Sequence, residues 1–404
     1  MRILWIVNTP IYIDKAHATS IRGGWMEGAL RSLAGDTEIC IAFISNVNKK
    51  HEKIGRIEYY YFHYDQFNIK FTGIELEKEL ESIIKDSQPD IIHIWGTEYL
   101  HSYAAVQAAN NLGMITKVVV NLQGIVSVYA RHCFIGLPIK YQIKKGFRDK
   151  TIYDKRGKYE KEVIESIEHV IGRTDWDKAC VLMINPKVHY YSCNEILRPL
   201  FYSGDKWDAK KCLKHSLFVT QPWHPIKGFH YILEAGAILK KKYPDIKIYA
   251  TGDNMFHRRN RRNEYVQYLY GLIKKYDLYD NVNFVGELNE TQMKAQFLKA
   301  HVFISASTIE NESNAISEAR ILGVPVVASY VGGVTGRITH GEDGFLYPFD
   351  EPYMLAYYVD KIFNDKNLAE YLSENEIVQA NIINDIETNK NRLLSIYSMI
   401  NGDR

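Results

Sequence analysis

The chain has 404 residues, 46% hydrophobic and 24% charged, with 50 basic against 48 acidic side chains for a net charge of +2. That length suits two domains of about 200 residues, each able to bury a core, and the composition is ordinary for a folded globular protein. The balanced charge excludes a global attraction for nucleic acid, and the five scattered cysteines, without a C-x-x-C pair, exclude a disulfide framework and a cysteine zinc site.

In chain order, the first apolar run, 3–7, stops at Asn8-Thr9-Pro10, too short for the core of a secretory signal. No later run approaches the roughly 20 apolar residues of a membrane span, so the expectation is a cytoplasmic chain with reduced thiols. Gly23-Gly24 precedes an apolar helix at 26–33, where glycines let backbone amides approach an anion. Short β-branched runs follow at 39–44, 91–95, 118–122 and 170–172, then at 217–220, 246–251, 282–285, 302–305 and 324–328. Runs of this kind separated by helical patterns indicate parallel sheets built from βαβ units. Two such series predict an α/β protein with two Rossmann-like domains, 1–197 and 208–385. They are joined by a linker at 198–207, where Pro199 and Ser203-Gly204 interrupt the pattern. From about 350 onward the pattern is helical.

Three segments carry the chemistry. Glu310 and Glu318 bracket the start of a helix predicted over 314–322. At about 100° per residue, Ala315, Ala319 and Leu322 form its inward stripe; Glu318 falls beside that stripe, while Ser317 and Arg320 point away. An inward carboxylate needs a partner, and ribose hydroxyls or a structural Arg or Lys would each serve. Asn314 is either a ligand contact or an N-cap. Asp175-Trp176-Asp177 spells a D-x-D sequence, but Thr174 three residues before Asp177 reads as a helix cap, and no cluster has metal-site spacing. Segment 140–161 holds nine basic residues against Asp149, Asp154 and Glu160, a net of +6, interleaved with aromatic residues. It is either a solvated face or a surface for anionic lipid.

The stretch Glu310-x7-Glu318, Gly323-Val324-Pro325, Gly332-Gly333 and His340-Gly341-Glu342-Asp343-Gly344-Phe345 closely resembles the retaining, nucleotide-sugar-dependent glycosyltransferases of family four, which have the GT-B fold. The resemblance implies two Rossmann-like domains facing across a cleft, acceptor bound by the first, and a last helix, 386–404, packed back on the first. It implies Lys227 on the donor diphosphate, Glu310 on the donor sugar and Glu318 on the ribose. Gly23, Gly24, Gly252, Phe284, Val285, Asn311, Ser313 and Asn314 are the further donor-side positions, and Gln123 stands where the family commonly has a catalytic-face His. His93, Trp95 and Glu98, with His101, fall on the acceptor side, His93 being either a ligand contact or, as a lone His in an apolar strand, a satisfied core residue. The family's Arg five residues before the Lys is Pro222 here, so either His224, Arg258 or Arg22 supplies a second cation or diphosphate binding is weaker than in relatives. Gln123 cannot titrate, so no acid–base role is open to it. The implied reaction uses a UDP- or GDP-linked sugar as co-substrate, no other cofactor and no metal, and a glycan or lipid-linked acceptor. The signals His17-Ala18-Thr19-Ser20-Ile21-Arg22-Gly23-Gly24 and Gly172-Arg173-Thr174-Asp175 resemble those of bacterial transferases for surface polysaccharides. A sugar-nucleotide 2-epimerase of the same fold and a catalytically silent nucleotide-sugar-binding partner are the rival readings.

Overall fold

A computed structural model describes residues 1–13, 24–45, 50–63, 73–257 and 262–402, with backbone alone at 24–25 and 143–149. Packing divides the chain into two units, one of residues 1–130, 150–196 and 385–404, the other of 131–149 and 197–384. Residues 131–149, expected in the first domain, thus belong with the second. The expected linker is also packed structure. Phe201 and Trp207 are buried in the second core, and the Trp207 indole donates to the Ala300 carbonyl at 2.8 Å.

The first unit holds β1 (Arg2–Val7), β2 (Glu38–Ile44), β3 (His51–Ile54), β4 (Ile57–Phe62), β5 (Ile91–Trp95), β6 (Val118–Asn121), β7 (His169–Gly172) and β8 (His189–Ser192) in the order β3-β4-β2-β1-β5-β6-β7-β8. Only β3 runs antiparallel, paired to β4 across a hairpin at Gly55. Sequence reasoning passed over β3, β4 and β8; β3 and β8 are polar and half exposed at the sheet edges, whereas β4 is a largely buried run. Every residue of β5 is buried, as expected for a parallel strand covered on both faces. The last helix, Ile386–Asn401, covers one of those faces: the Trp5 indole donates to the Tyr397 hydroxyl at 3.2 Å.

The second unit holds β9 (Ser216–Val219), β10 (Lys247–Ala250), β11 (Val282–Phe284), β12 (Val302–Ser305), β13 (Val326–Ser329) and β14 (Phe345–Tyr347), all parallel, in the order β11-β10-β9-β12-β13-β14. Phe218, Phe297 and Phe303 pack edge to face at its centre, with ring centroids 5.0 to 6.0 Å apart. In each sheet the strand order reverses direction once, between β1 and β5 and between β9 and β12. Those reversals open a crevice at the carboxyl ends of the flanking strands, where open α/β sheets take their ligands. Among the described residues no helix is long and apolar enough to cross a membrane.

Candidate functional site

At the reversal in the second sheet, the ends of β9 and β12 line a recess of about 300 Å³ with Thr220, Lys227, Ser305, Ser307 and Ser313 among its walls. Lys227 enters from a 3₁₀ turn, Pro225–Lys227, that closes on Gly228. Gly228 has φ +66°, and a Cβ there would lie 1.9 Å from the Ala306 carbonyl oxygen, so only glycine lets this turn press against the end of β12. The Thr308 amide donates to the Ile226 carbonyl at 2.8 Å and fixes the two loops to each other. As a result the Lys227 ammonium pairs with the Glu310 carboxylate, which also accepts from the Ser307 hydroxyl at 3.2 Å. Gly332-Gly333 braces the other side. A Cβ on Gly332 would stand 2.1 Å from the Glu310 carbonyl oxygen, which instead accepts from the Gly333 amide at 3.0 Å.

The helix Asn314–Leu322 begins at this recess. Ser313, in extended conformation, is its N-cap and Asn314 is its first helical residue, which corrects the capping role considered for Asn314. No side-chain hydrogen bond caps this terminus, and its N-cap Ser313 forms part of the recess wall. Asn311 is fully buried and Glu312 pairs with Arg337 at 2.9 Å; these two hold the loop, and Ser313 is the member of it that lines the recess. Glu318 points inward, and of the partners open to it the structure has an arginine: Arg198 Nε and Nη2 meet its two oxygens at 2.8 and 2.7 Å. Burial pushes the Glu318 carboxyl up, against the pull of Arg198. Ser317 and Arg320, expected to face outward, are buried, and Arg320 pairs with Asp343. The helix is covered on both sides, by β12 and β13 and by the helix Lys366–Ile383, so a single inward stripe does not describe it.

Gly252, Phe284 and Val285 come together along the same sheet edge. The Gly252 amide donates to Gly286 at 2.7 Å and the Val285 amide to Ala250 at 2.9 Å. Gly252 has φ +94°, and a Cβ on it would crowd the Trp223 indole nitrogen at 2.9 Å. That nitrogen is buried and has no hydrogen-bond partner among the described residues. Of the candidates for a second cation, His224 is exposed, while Arg22 and Arg258, like Gly23, lie outside the described residues; Gly24 opens the helix Gly24–Leu33.

Residues 216–379 match the family described as Glycosyl transferases group 1, and the whole recess lies on segments within that span. Those residues are thus similar to a group 1 glycosyltransferase domain, over about two fifths of the chain. An uncharacterized glycosyltransferase of Haemophilus influenzae is 28% identical over 151 residues, 37% of this chain and 39% of its own length. The capsular polysaccharide biosynthesis glycosyltransferase CapM of Staphylococcus aureus is 26% identical over 149 residues, 37% of each chain. The chain thus covers less than two fifths of these relatives' length. Sucrose-phosphate synthase from Thermosynechococcus elongatus has a TM-score of 0.76 at 16% identity, covering 100% of both chains. Anabaena Alr3699/HepE in complex with UDP-glucose has 0.71 at 16%, covering 99% of this chain and 100% of that one. Likeness at such identities concerns the fold, which is GT-B.

Outside residues 216–379, the first unit carries the remaining predicted residues. His93 is fully buried, stacked on Trp95 at 4.3 Å, with its Nδ1 2.5 Å from the Tyr397 hydroxyl. Burial pushes its pKa down to about 3, so it is a neutral core residue and the acceptor-side assignment is corrected. His101 is likewise buried and pushed down to about 3. Trp95 is buried and, with Asn121, Asn194, Glu195 and Asn389, lines a second recess of about 330 Å³ at the ends of β5, β6 and β8. Gln123 is half-buried, its amide donating to Asn121 at 2.8 Å. Glu98 follows β5, folds over Gly96, and has a buried Oε2 without a hydrogen-bond partner among the described residues; burial pushes its carboxyl up to about 7. Thr174 and Asp177 form a reciprocal capping box on the helix Asp175–Ile184, which is the structural use read for the D-x-D sequence. Among the described residues no cluster of three His, Cys, Asp or Glu side chains is placed to hold a metal ion.

Sequence reasoning missed Arg198, Ser305, Ser307 and Arg337. The two serines had a readable signal, since Ser305 ends β12 beside the strand-order reversal and Ser307 follows it by two residues; the two arginines act through partners far along the chain.

Proposed function

We propose that the protein is a retaining, metal-independent glycosyltransferase of family four that moves a sugar from a nucleotide diphosphate donor to a hydroxyl of a glycan or lipid-linked acceptor in bacterial surface polysaccharide synthesis. The observation that carries this reading is the Lys227–Glu310 pair beside a serine-walled recess within residues 216–379. Each partner satisfies the other while the recess is empty. A donor separates their roles: its diphosphate takes the ammonium and the amides at the start of the Asn314–Leu322 helix, and its sugar hydroxyls take the carboxylate. The charge that develops on the leaving diphosphate is then met by Lys227, the kind of preorganised electrostatic contact that lowers such barriers. In the step itself the bond from the acceptor oxygen to the anomeric carbon forms as the bond from that carbon to phosphate breaks. The acceptor proton passes to the departing phosphate oxygen on the same face, so no protein base is required. That route fits Gln123, which cannot titrate.

The family likeness, the capsular polysaccharide relative and the UDP-glucose complex of a fold neighbour support a UDP- or GDP-linked donor and a polysaccharide-building role. The acceptor belongs to the first unit in this reading, with Glu98 its polar contact. The proposal includes contact of the basic helix with anionic lipid. Lys140, Lys150, Lys158 and Lys161 are exposed there, whereas Arg156 is held over the Tyr99 ring at 4.5 Å and Glu160 is buried against Ser127 and Thr97. Flotation with anionic vesicles should be lost as salt rises, and absence of binding at any salt would remove that part.

Incubation with UDP-, GDP- and ADP-linked sugars, followed by anomeric NMR signals, tests the activity. Slow release of free sugar with its anomer retained supports transfer. An epimerised donor would replace the reading with the 2-epimerase, and binding without turnover, even with lipid-linked acceptors, would leave a silent partner.

A further inference from the structure

Among the described residues Lys227 is the cation that lines the recess, Pro222 stands where a second was expected, and Arg198 is an arginine that the fold brings to the same helix. It belongs to the unit that holds the recess, its guanidinium stacked on the Phe201 ring at 4.5 Å and joined to both oxygens of Glu318. Glu318 lies four residues beyond Asn314, which is about 6 Å along the helix axis from the terminus that Ser313 and Asn314 present to the recess. Swinging a long side chain about its own stem covers that distance.

We propose that Arg198 is the second cation of the diphosphate subsite, parked on Glu318 while the site is empty. This rests on the donor-site reading above. Ribose hydroxyls entering at Glu318 take over the carboxylate oxygens that Arg198 holds. The released guanidinium, always charged and shaped for bidentate contact with phosphate oxygens, turns to the diphosphate beside Lys227. Neither charge is left buried without a partner at either stage, which is the condition for such an exchange to be reversible. Arg198 is therefore a binding residue with two partners in succession. Glu318, read in sequence as a ribose contact, also keeps the guanidinium at the mouth of the phosphate subsite.

The test compares diphosphates with their nucleosides, UDP with uridine and GDP with guanosine, by calorimetric and NMR titration of the full chain. The quantity read is the ratio of nucleoside Kd to diphosphate Kd. Arg198→Met should shrink that ratio at least tenfold, and Arg198→Lys should restore part of it, because an ammonium still serves a phosphate as a point charge. Should Arg198→Met fail to fold, Glu318→Gln provides the second arm: it removes the parking partner, so nucleoside affinity falls while the ratio is kept. An unchanged ratio in Arg198→Met, with both ligands weakened alike, would overturn the proposal and leave Arg198 a prop for Glu318. Tighter diphosphate binding in that variant would overturn it too, making Arg198 a competitor of the ribose. A wild-type chain that binds neither UDP nor GDP would overturn the donor-site reading along with it, an outcome distinct from a lost or unchanged ratio.

Discussion

The two sheets reverse strand order at equivalent places, yet the carboxyl ends there are furnished in opposite ways. Between β9 and β12 the groups are charged, mutually paired and tied to glycine-braced loops: Lys227 with Glu310, Arg198 with Glu318, Glu312 with Arg337. Beyond β5, next to β1, Glu195 pairs with Arg173 at 2.9 Å, but burial pushes the other titratable groups toward their neutral forms. His93 is pushed down to about 3 and held by Tyr397, and Glu98 is pushed up to about 7. A site for a highly charged diphosphate needs fixed countercharges, and each of these groups is held by a partner of opposite charge. A site for a neutral hydroxyl needs hydrogen-bonding groups without strong charge. On the proposed reading, the contrast suits donor chemistry in the second unit and acceptor chemistry in the first.

The widest break in that contrast would come from Glu310→Gln, which removes the sugar-facing carboxylate but keeps its shape. Turnover of nucleotide sugar should fall about 10²–10³-fold with little change in Tm, and near-normal turnover would remove Glu310 from the site. Next, Lys227→Ala should weaken UDP or GDP at least about tenfold, since hydrogen bonds to charged groups contribute roughly 1.5–3 kcal/mol; unchanged affinity would place the diphosphate elsewhere.

The neutral side is sharpened by Glu98→Gln. Its carboxyl, held up to about 7 from an ordinary 4.5, keeps a proton in the folded chain that the unfolded chain releases. Wild-type stability should therefore decline as pH rises from about 4.5 to about 7 and then level off. The variant should match wild type near pH 4 and exceed it by roughly 1–3 kcal/mol near pH 8. Equal stability of the two at every pH would mean that Glu98 is ionised and solvated. The smallest effect on function is expected from Tyr397→Phe, which unpairs both His93 and the Trp5 indole. Stability should drop by about 1 kcal/mol in denaturant unfolding with acceptor KM unchanged, whereas a raised KM would return His93 to the acceptor side.

How far the sequence reaches follows the same division. Lys227 and Glu310 were legible because strand-end loops and glycine turns are local features. Gly228 and Gly332 mark close backbone approaches that no other residue allows, and a pattern of glycines preserves that information along the chain. The helix over 314–322 and the cap at Thr174 were legible for the same reason. Partner choice was not. Arg198 is 120 positions from Glu318 and Tyr397 is 304 from His93, so nothing local names either one. Helical phase misplaced Ser317 and Arg320 because it presumes one buried face, and this helix has β12 and β13 on one side and the helix Lys366–Ile383 on the other. Residues 131–149 were assigned to the wrong unit for a related reason: chain order is a poor guide once a segment packs away from its neighbours in sequence.

The central claim, that Lys227 and Glu310 exchange each other for a donor, is tested most directly by a crystal structure of the protein with a bound UDP- or GDP-sugar. The account predicts diphosphate oxygens against the Lys227 ammonium and the amides after Ser313, sugar hydroxyls on Glu310, and the Lys227–Glu310 pair opened. A nucleotide sugar bound with that pair still closed, or bound away from the ends of β9 and β12, would contradict it.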